Sequence, residues 1–214
     1  MCDQELRRLW RRWCESGALA DEVAWLRARL RAGTLAPERV ELAAWCGHPG
    51  ARTVLEELPA GRLDLSLDER RASDRPWAQD LVQRAGREGA ALAVAAAVRA
   101  SSWWGLEGLA PPHQQSLRPA VSAIEAWLRC PCEPCLQAVR SFAAGDAGLT
   151  RVVAGVALRD DAGQFLARAI SVLAMDRNGH TEPWRTQMEE AIAAALAAWA
   201  LGEQQPALAG RGAS

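Results

Sequence analysis

The sequence predicts an all-α protein, an irregular array of antiparallel helix pairs with a degenerate helical-repeat character and about ten short helices. Three observations lead there. The apolar half of the chain is built mainly from alanine and leucine, with no tyrosine and only two phenylalanines, so strong helix formers abound and strand-favouring residues are scarce. Apolar residues recur at helical spacing through most of the chain. A short motif at three helix ends repeats with tryptophan at its close.

Residues 4–15 form the first expected helix, because Leu6, Leu9, Trp10 and Trp13 fall at i, i+3, i+4 and i+7 and share one face. Arg7, Arg8, Arg11 and Arg12 take much of the other face, so Trp10 and Trp13 are expected in the core. Gly17 ends this helix; Asp21 begins a second, which carries Val23, Leu26 and Leu30 before Gly33 stops it. Pro37 suits the first turn of a third helix with Val40, Leu42 and Trp45 on its apolar side. The run Cys46-Gly47-His48-Pro49 then breaks the chain sharply, and a short fourth helix follows over 49–58. Charge and turn residues mark 59–75 as a linker, in which alternating Leu63, Leu65 and Leu67 suggest at most a short extended segment. Helices resume over 76–85 and 88–100. After a longer connection holding Trp103-Trp104 and Pro111-Pro112, others are expected over 117–129, 131–143, a pair within 149–175, and 182–201. The domain reading is an N-terminal helical lobe (1–58), a linker (59–75), a C-terminal helical lobe (76–201) and a flexible tail (202–214), with one continuous domain as the alternative.

The repeated motif is Leu42-Ala43-Ala44-Trp45, echoed by Ile124-Glu125-Ala126-Trp127 and Leu196-Ala197-Ala198-Trp199. In the first two, His48 or Cys130 stands three residues after the tryptophan and proline follows at once, as if to start the next helix. The spacing is too long and uneven for a regular solenoid. The stretch Asp21-Glu22, Trp25-Leu26-Arg27 and Val40 through His48 resembles a segment of helical proteins from GC-rich bacteria such as myxobacteria and planctomycetes. The stretch from Glu125 to Cys135 is similar to a second such segment. The resemblance covers less than a quarter of the chain for the first stretch and implies a helical fold without implying an activity.

Composition excludes several classes. With 50% hydrophobic and 24% charged residues the chain is an ordinary globular one. Its basic residues are all arginine and the formal net charge is −1, so no global field favours nucleic acid or an anionic membrane. Acidic neighbours at Asp3, Glu5, Glu15, Asp21 and Glu22 dilute the one basic patch, on the first helix, and nucleic acid is not an expected partner. The longest apolar runs, 89–98 and 191–201, fall short of the roughly 20 residues a membrane-spanning helix needs. The N-terminal stretch lacks the apolar core of a secretory signal, so a cytoplasmic location and reduced cysteines are expected.

Cys130-Pro131-Cys132-Glu133-Pro134-Cys135 is the densest chemistry in the chain. Thiolates at this spacing can share one soft ion, with a fourth ligand from His113, Cys46 or His48. Cysteine at a helix start also acquires a lowered pKa, which suits redox or nucleophilic chemistry at Cys132 or Cys135. Against both stands simple packing, because cysteine buries as readily as a small apolar residue. The sequence holds no HExxH, no GxSxG and, lacking lysine, no phosphate-binding GxxxxGK[ST] motif. The adjacent carboxylates Asp160-Asp161 and Glu189-Glu190 point apart on a helix and make no acid–base pair. His48 and His180 read as turn or capping residues. Trp103 and Trp104 cannot both face one core, and one of them is expected to present a partner-binding surface.

The expected function is therefore a non-enzymatic protein-interaction or scaffold module that binds another protein and needs no cofactor. The alternative is a metal- or thiol-dependent protein using Cys130, Cys132 and Cys135, with zinc as its ion.

Overall fold

The computed structural model describes residues 3–57, 75–101, 117–145, 148–173 and 184–202. These fold into ten helices with no strand among the described residues, so the chain is all-α as its composition predicts. Most of the 59–75 linker, Trp103, Trp104, His113, His180 and the tail beyond Gly202 lie outside the described residues. No helix among the described residues is long and apolar enough to cross a membrane. The chain divides into two compact units, residues 1–68 with 196–214, and residues 69–195.

The first unit contains α1 (Asp3–Ser16), α2 (Leu19–Arg31), α3 (Pro37–Trp45) and α4 (Pro49–Glu56). Helix α1 meets α2 through three indoles: Trp13 stacks on Trp25 at 4.8 Å between ring centres, and Trp10 meets Trp25 at 4.8 Å and Trp13 at 5.1 Å. The Arg29 guanidinium lies 4.6 Å over the Trp25 ring. Trp25 is buried, but Trp10 is 41% exposed and Trp13 half-buried, which corrects the expectation that both α1 tryptophans are core. Amphipathic spacing identifies the face of a helix that seeks cover, and α2 supplies only part of that cover.

Helix α2 starts earlier than its acidic pair suggests, at Leu19 after an Ala18 N-cap. Asp21 and Glu22 are instead buried in its first turn, where the helix dipole favours carboxylates. Asp21 accepts hydrogen bonds from the Ser16 hydroxyl at 2.6 Å and the Arg12 Nε at 2.7 Å, tying α1 to α2. Glu22 faces the Nε2 of His48 at 3.4 Å. His48 is the N-cap of α4, as its turn position predicts, and its Nδ1 accepts the Ala51 backbone N–H at 3.3 Å. Gly50 makes room for this arrangement, because a Cβ there would stand 2.5 Å from a Glu22 carboxylate oxygen. The closing turns of α10 (Trp184–Leu201) also belong to this unit: Trp199 receives the Arg39 guanidinium on its face at 5.1 Å, and Arg29 donates to the Leu201 carbonyl.

While Nδ1 accepts the capping N–H it carries no proton, and Nε2 faces the Glu22 carboxylate at 3.4 Å. Burial pushes the imidazole below its ordinary value of 6.5 and the Glu22 carboxyl above 4.5. The depressed His48 value stabilises the fold fully above pH 6.5, and this contribution is lost as pH falls toward the folded-state value. Glu22 acts in the opposite sense, stabilising below 4.5 and losing its contribution as pH rises through its raised folded-state value. Urea unfolding of wild type is therefore expected to show a stability loss just below pH 6.5. His48→Asn, which keeps a capping side chain without the titration, is expected to remove it.

The second unit contains α5 (Arg75–Ala100), α6 (Leu117–Arg129), α7 (Glu133–Gly145), α8 (Leu149–Leu158), α9 (Ala162–Leu173) and the first part of α10. Gly86 sits inside α5 with φ 65°, a conformation suited to glycine, and kinks it where the sequence suggests two separate helices. From Ala90 to Val98 every residue is buried, as expected of a helix surrounded by neighbours. Helices α6, α8 and α9 pack against α5, and α8 also packs against α6, α7 and α9. Small residues permit close approach. A Cβ on Gly163 would stand 3.1 Å from the Gln79 Cα, and one on Gly155 would stand 2.8 Å from the Phe165 ring. In α6, Leu117, Ala120, Val121 and Ile124 are buried at helical spacing, while Arg99 of α5 and Glu125 form a half-buried ion pair at 2.5 Å.

The tryptophan echo does not make equivalent corners. Trp45 is buried, whereas Trp127 and Trp199 are half-buried. Pro49 is the first residue of α4, but Pro131 does not start α7, which begins two residues later at Glu133. The reason lies in the cysteines.

Candidate metal centre at the start of α7

The chain leaves α6 after Arg129 and enters α7 through Cys130-Pro131-Cys132. The Cys132 backbone N–H donates to the Cys130 carbonyl at 2.7 Å, closing a tight three-residue turn centred on Pro131, whose ring presets φ. The Cys132 carbonyl then accepts the Leu136 N–H at 3.0 Å, the first intrahelical bond of α7. Cys132 is therefore the N-cap, and Cys135 is the third helical residue, whose N–H a capping side chain ordinarily receives. Pro134 falls in the first turn, where its missing N–H costs nothing.

This turn folds the three side chains together. The Sγ atoms of Cys130, Cys132 and Cys135 lie within 4.8 Å of one another. Cys132 is the most acidic of the three. Its sulfur accepts the backbone N–H of Cys135 and then the thiols of Cys135 and Cys130, which hold it below the ordinary thiol range. The other two are raised. Cys130 is raised first by donating to Cys132 and then by the Cys132 charge, and Cys135 first by donating to Cys132 and then by burial. The N-terminus of α7 adds a favourable field for negative sulfur. Glu133 occupies the first helical position and is engaged by Arg140 two turns on.

None of the three cysteines is buried: Cys130 is exposed, and Cys132 and Cys135 are intermediate. Small packing residues would be buried, so packing does not account for the cluster. Among the described residues no cysteine is joined in a disulfide. No other histidine, cysteine or carboxylate among the described residues joins the group. Of the fourth ligands considered from sequence, His48 has both ring nitrogens engaged in its own unit, and His113 lies outside the described residues.

The donor set fits a soft cation. With zinc–sulfur bonds of about 2.3 Å, tetrahedral or trigonal ligation places sulfurs about 3.8–4.0 Å apart, so the longest edge closes by about 1 Å on binding. Rotamer changes at partly exposed cysteines supply a movement of that size. Sequence reading found these residues and their capacity to share one ion; the structure adds the turn at Pro131 between the first two of them. The Asp160-Asp161 pair is exposed between α8 and α9, with Asp160 bound to Arg87 at 2.6 Å, in keeping with the solvated helix ends expected there. No known protein family, curated protein or solved structure matches the chain.

Proposed function

We propose that the chain binds a thiophilic metal ion, zinc or copper(I), through Cys130, Cys132 and Cys135 on a helical scaffold. The observation that carries this reading is the convergence of three partly exposed sulfurs within 4.8 Å. Sequence alone ranks an interaction module first; the convergence raises the metal reading above it. Three thiolates leave zinc one open position, and copper(I) accepts thiolate ligands readily. An exposed site with an open position suits an ion that is acquired and released, whereas a closed structural centre supplies all four ligands from the protein. Thiol–disulfide exchange between Cys132 and Cys135 would use the same lowered pKa, but it needs two sulfurs and gives Cys130 no part.

The test is metal content by elemental analysis of protein purified without chelator or affinity tag, with a count of thiols that react in the folded state. The expected result is near one equivalent of zinc or copper per chain and three thiols that become reactive on chelation. Metal-free protein that takes up no added zinc or copper(I), with the three thiols reactive throughout, would overturn the proposal.

A further inference from the structure

Helix α1 is amphipathic by sequence, yet none of residues 4–16 is buried. Beside its apolar face lies a groove of about 690 Å³, walled by Leu6, Trp10 and Trp13 of α1 and by Trp25 of α2, with Arg7 and Arg29 also on its wall. We infer that this groove docks an acidic amphipathic helix from a partner protein. The inference goes beyond metal binding and concerns the other unit of the chain.

Shape and charge both select the occupant. Leu6, Trp10 and Trp13 stand at i, i+4 and i+7 and form a ridge along α1, the form of surface that receives the apolar stripe of another helix. Trp10, 41% exposed, supplies the large aromatic contact that dominates such interfaces. The charged residues among those described on the wall, Arg7 and Arg29, are arginines, so aspartate or glutamate flanking the partner's stripe meets complementary charge. Arg29 is held in place by its stacking on Trp25 and its bond to the Leu201 carbonyl.

The alternatives fit less well. A single nucleic-acid strand needs successive open rings, but Trp13 and Trp25 stack on each other with 23° between their planes and Arg29 covers Trp25. A second copy of this chain would bring two arginine-rich helices together, and like charges oppose that. The chain's own residues 203–214 carry a single acid, Glu203, and no amphipathic stripe.

The experiment uses the full chain and two synthetic peptides designed as amphipathic leucine–alanine helices, one flanked by aspartate and glutamate and one by lysine. Binding is read by fluorescence anisotropy of the labelled peptide and by the NMR shift of the Trp10 indole N–H. The acidic peptide is expected to bind, more weakly as salt rises, and the lysine peptide not to bind. Trp10→Ala and Arg7→Glu are each expected to weaken binding at least about tenfold. Neither side chain is buried, so far-ultraviolet circular dichroism should remain that of wild type and the melting point should fall at most modestly. The triple serine variant of Cys130, Cys132 and Cys135 is expected to bind the peptide normally, which separates this surface from the metal site. Absence of acidic-peptide binding, equal binding of both peptides, or wild-type affinity in both α1 variants would overturn the inference. So would displacement of the peptide by oligothymidylate, or a dimer in sedimentation that Trp10→Ala dissolves.

Discussion

Cys132→Ser is expected to lower affinity for zinc or cadmium about 100-fold or more while leaving the melting point of the metal-free protein nearly unchanged. The two parts of this result have separate causes. Cys132 is the most acidic of the three thiols because it receives the Cys135 N–H and the two neighbouring S–H groups. It is therefore the first of the three to release its proton to a metal. Losing even a hydrogen-bond partner of a metal ligand typically costs roughly 10–100-fold in affinity, and loss of the central ligand costs more. Serine, however, is a good N-cap, so its hydroxyl takes over the bond to the Cys135 N–H and α7 keeps its start. Cys132→Ala removes both functions and is expected to cost about 1 kcal/mol of stability in addition. Metal affinity should also fall with falling pH, because Cys130 and Cys135 hold their protons more tightly than ordinary thiols and must release them to bind. Competition titration with a chromophoric chelator, beside thermal melts of each variant, checks all of this. Unchanged metal affinity in Cys132→Ser would remove this residue from the site.

Trp25→Ala is expected to destabilise the first unit by about 3–5 kcal/mol, the range for truncating a buried tryptophan. Trp25 is 7% exposed and touches both Trp10 and Trp13, while Arg29 lies on its ring. It is the aromatic centre of the α1–α2 contact, and its loss frees two further indoles from their partner. Trp10→Ala removes a ring that is 41% exposed, and its cost should be smaller, about 1–2 kcal/mol. Urea unfolding followed by near-ultraviolet circular dichroism distinguishes the two, since the coupled indoles give that signal. Equal costs for the two variants would contradict the arrangement described.

Why some of this could be read from sequence and some could not follows from which interactions decide each feature. Helix positions were legible because their determinants are local. Pro37 and Pro49 start α3 and α4, Gly86 kinks α5, and the stripe from Leu117 to Ile124 defines α6. Features set by distant partners were not. Asp21 looks like a helix start, but Ser16 and Arg12 reach it and let it lie buried inside α2. Trp10 and Trp13 occupy an apolar face, yet periodicity cannot say how much of that face a neighbour covers. Pro131 mimics Pro49, but Cys132 accepts the first helical N–H and moves the start of α7 to Glu133. The spacing of the three cysteines could be read directly. Their detailed placement could not, because it depends on the turn between Cys130 and Cys132 and on where α7 starts.

The most direct test of the central claim is titration of the reduced, metal-free chain with cadmium, followed by sulfur-to-metal charge-transfer absorption in the ultraviolet. The account predicts that the absorption grows linearly and stops at one equivalent, with an intensity appropriate to three thiolates, and that it is absent from the variant with serine at 130, 132 and 135. An absorption that never saturates, or one that persists unchanged in the triple serine variant, would show that these three cysteines are not a metal site.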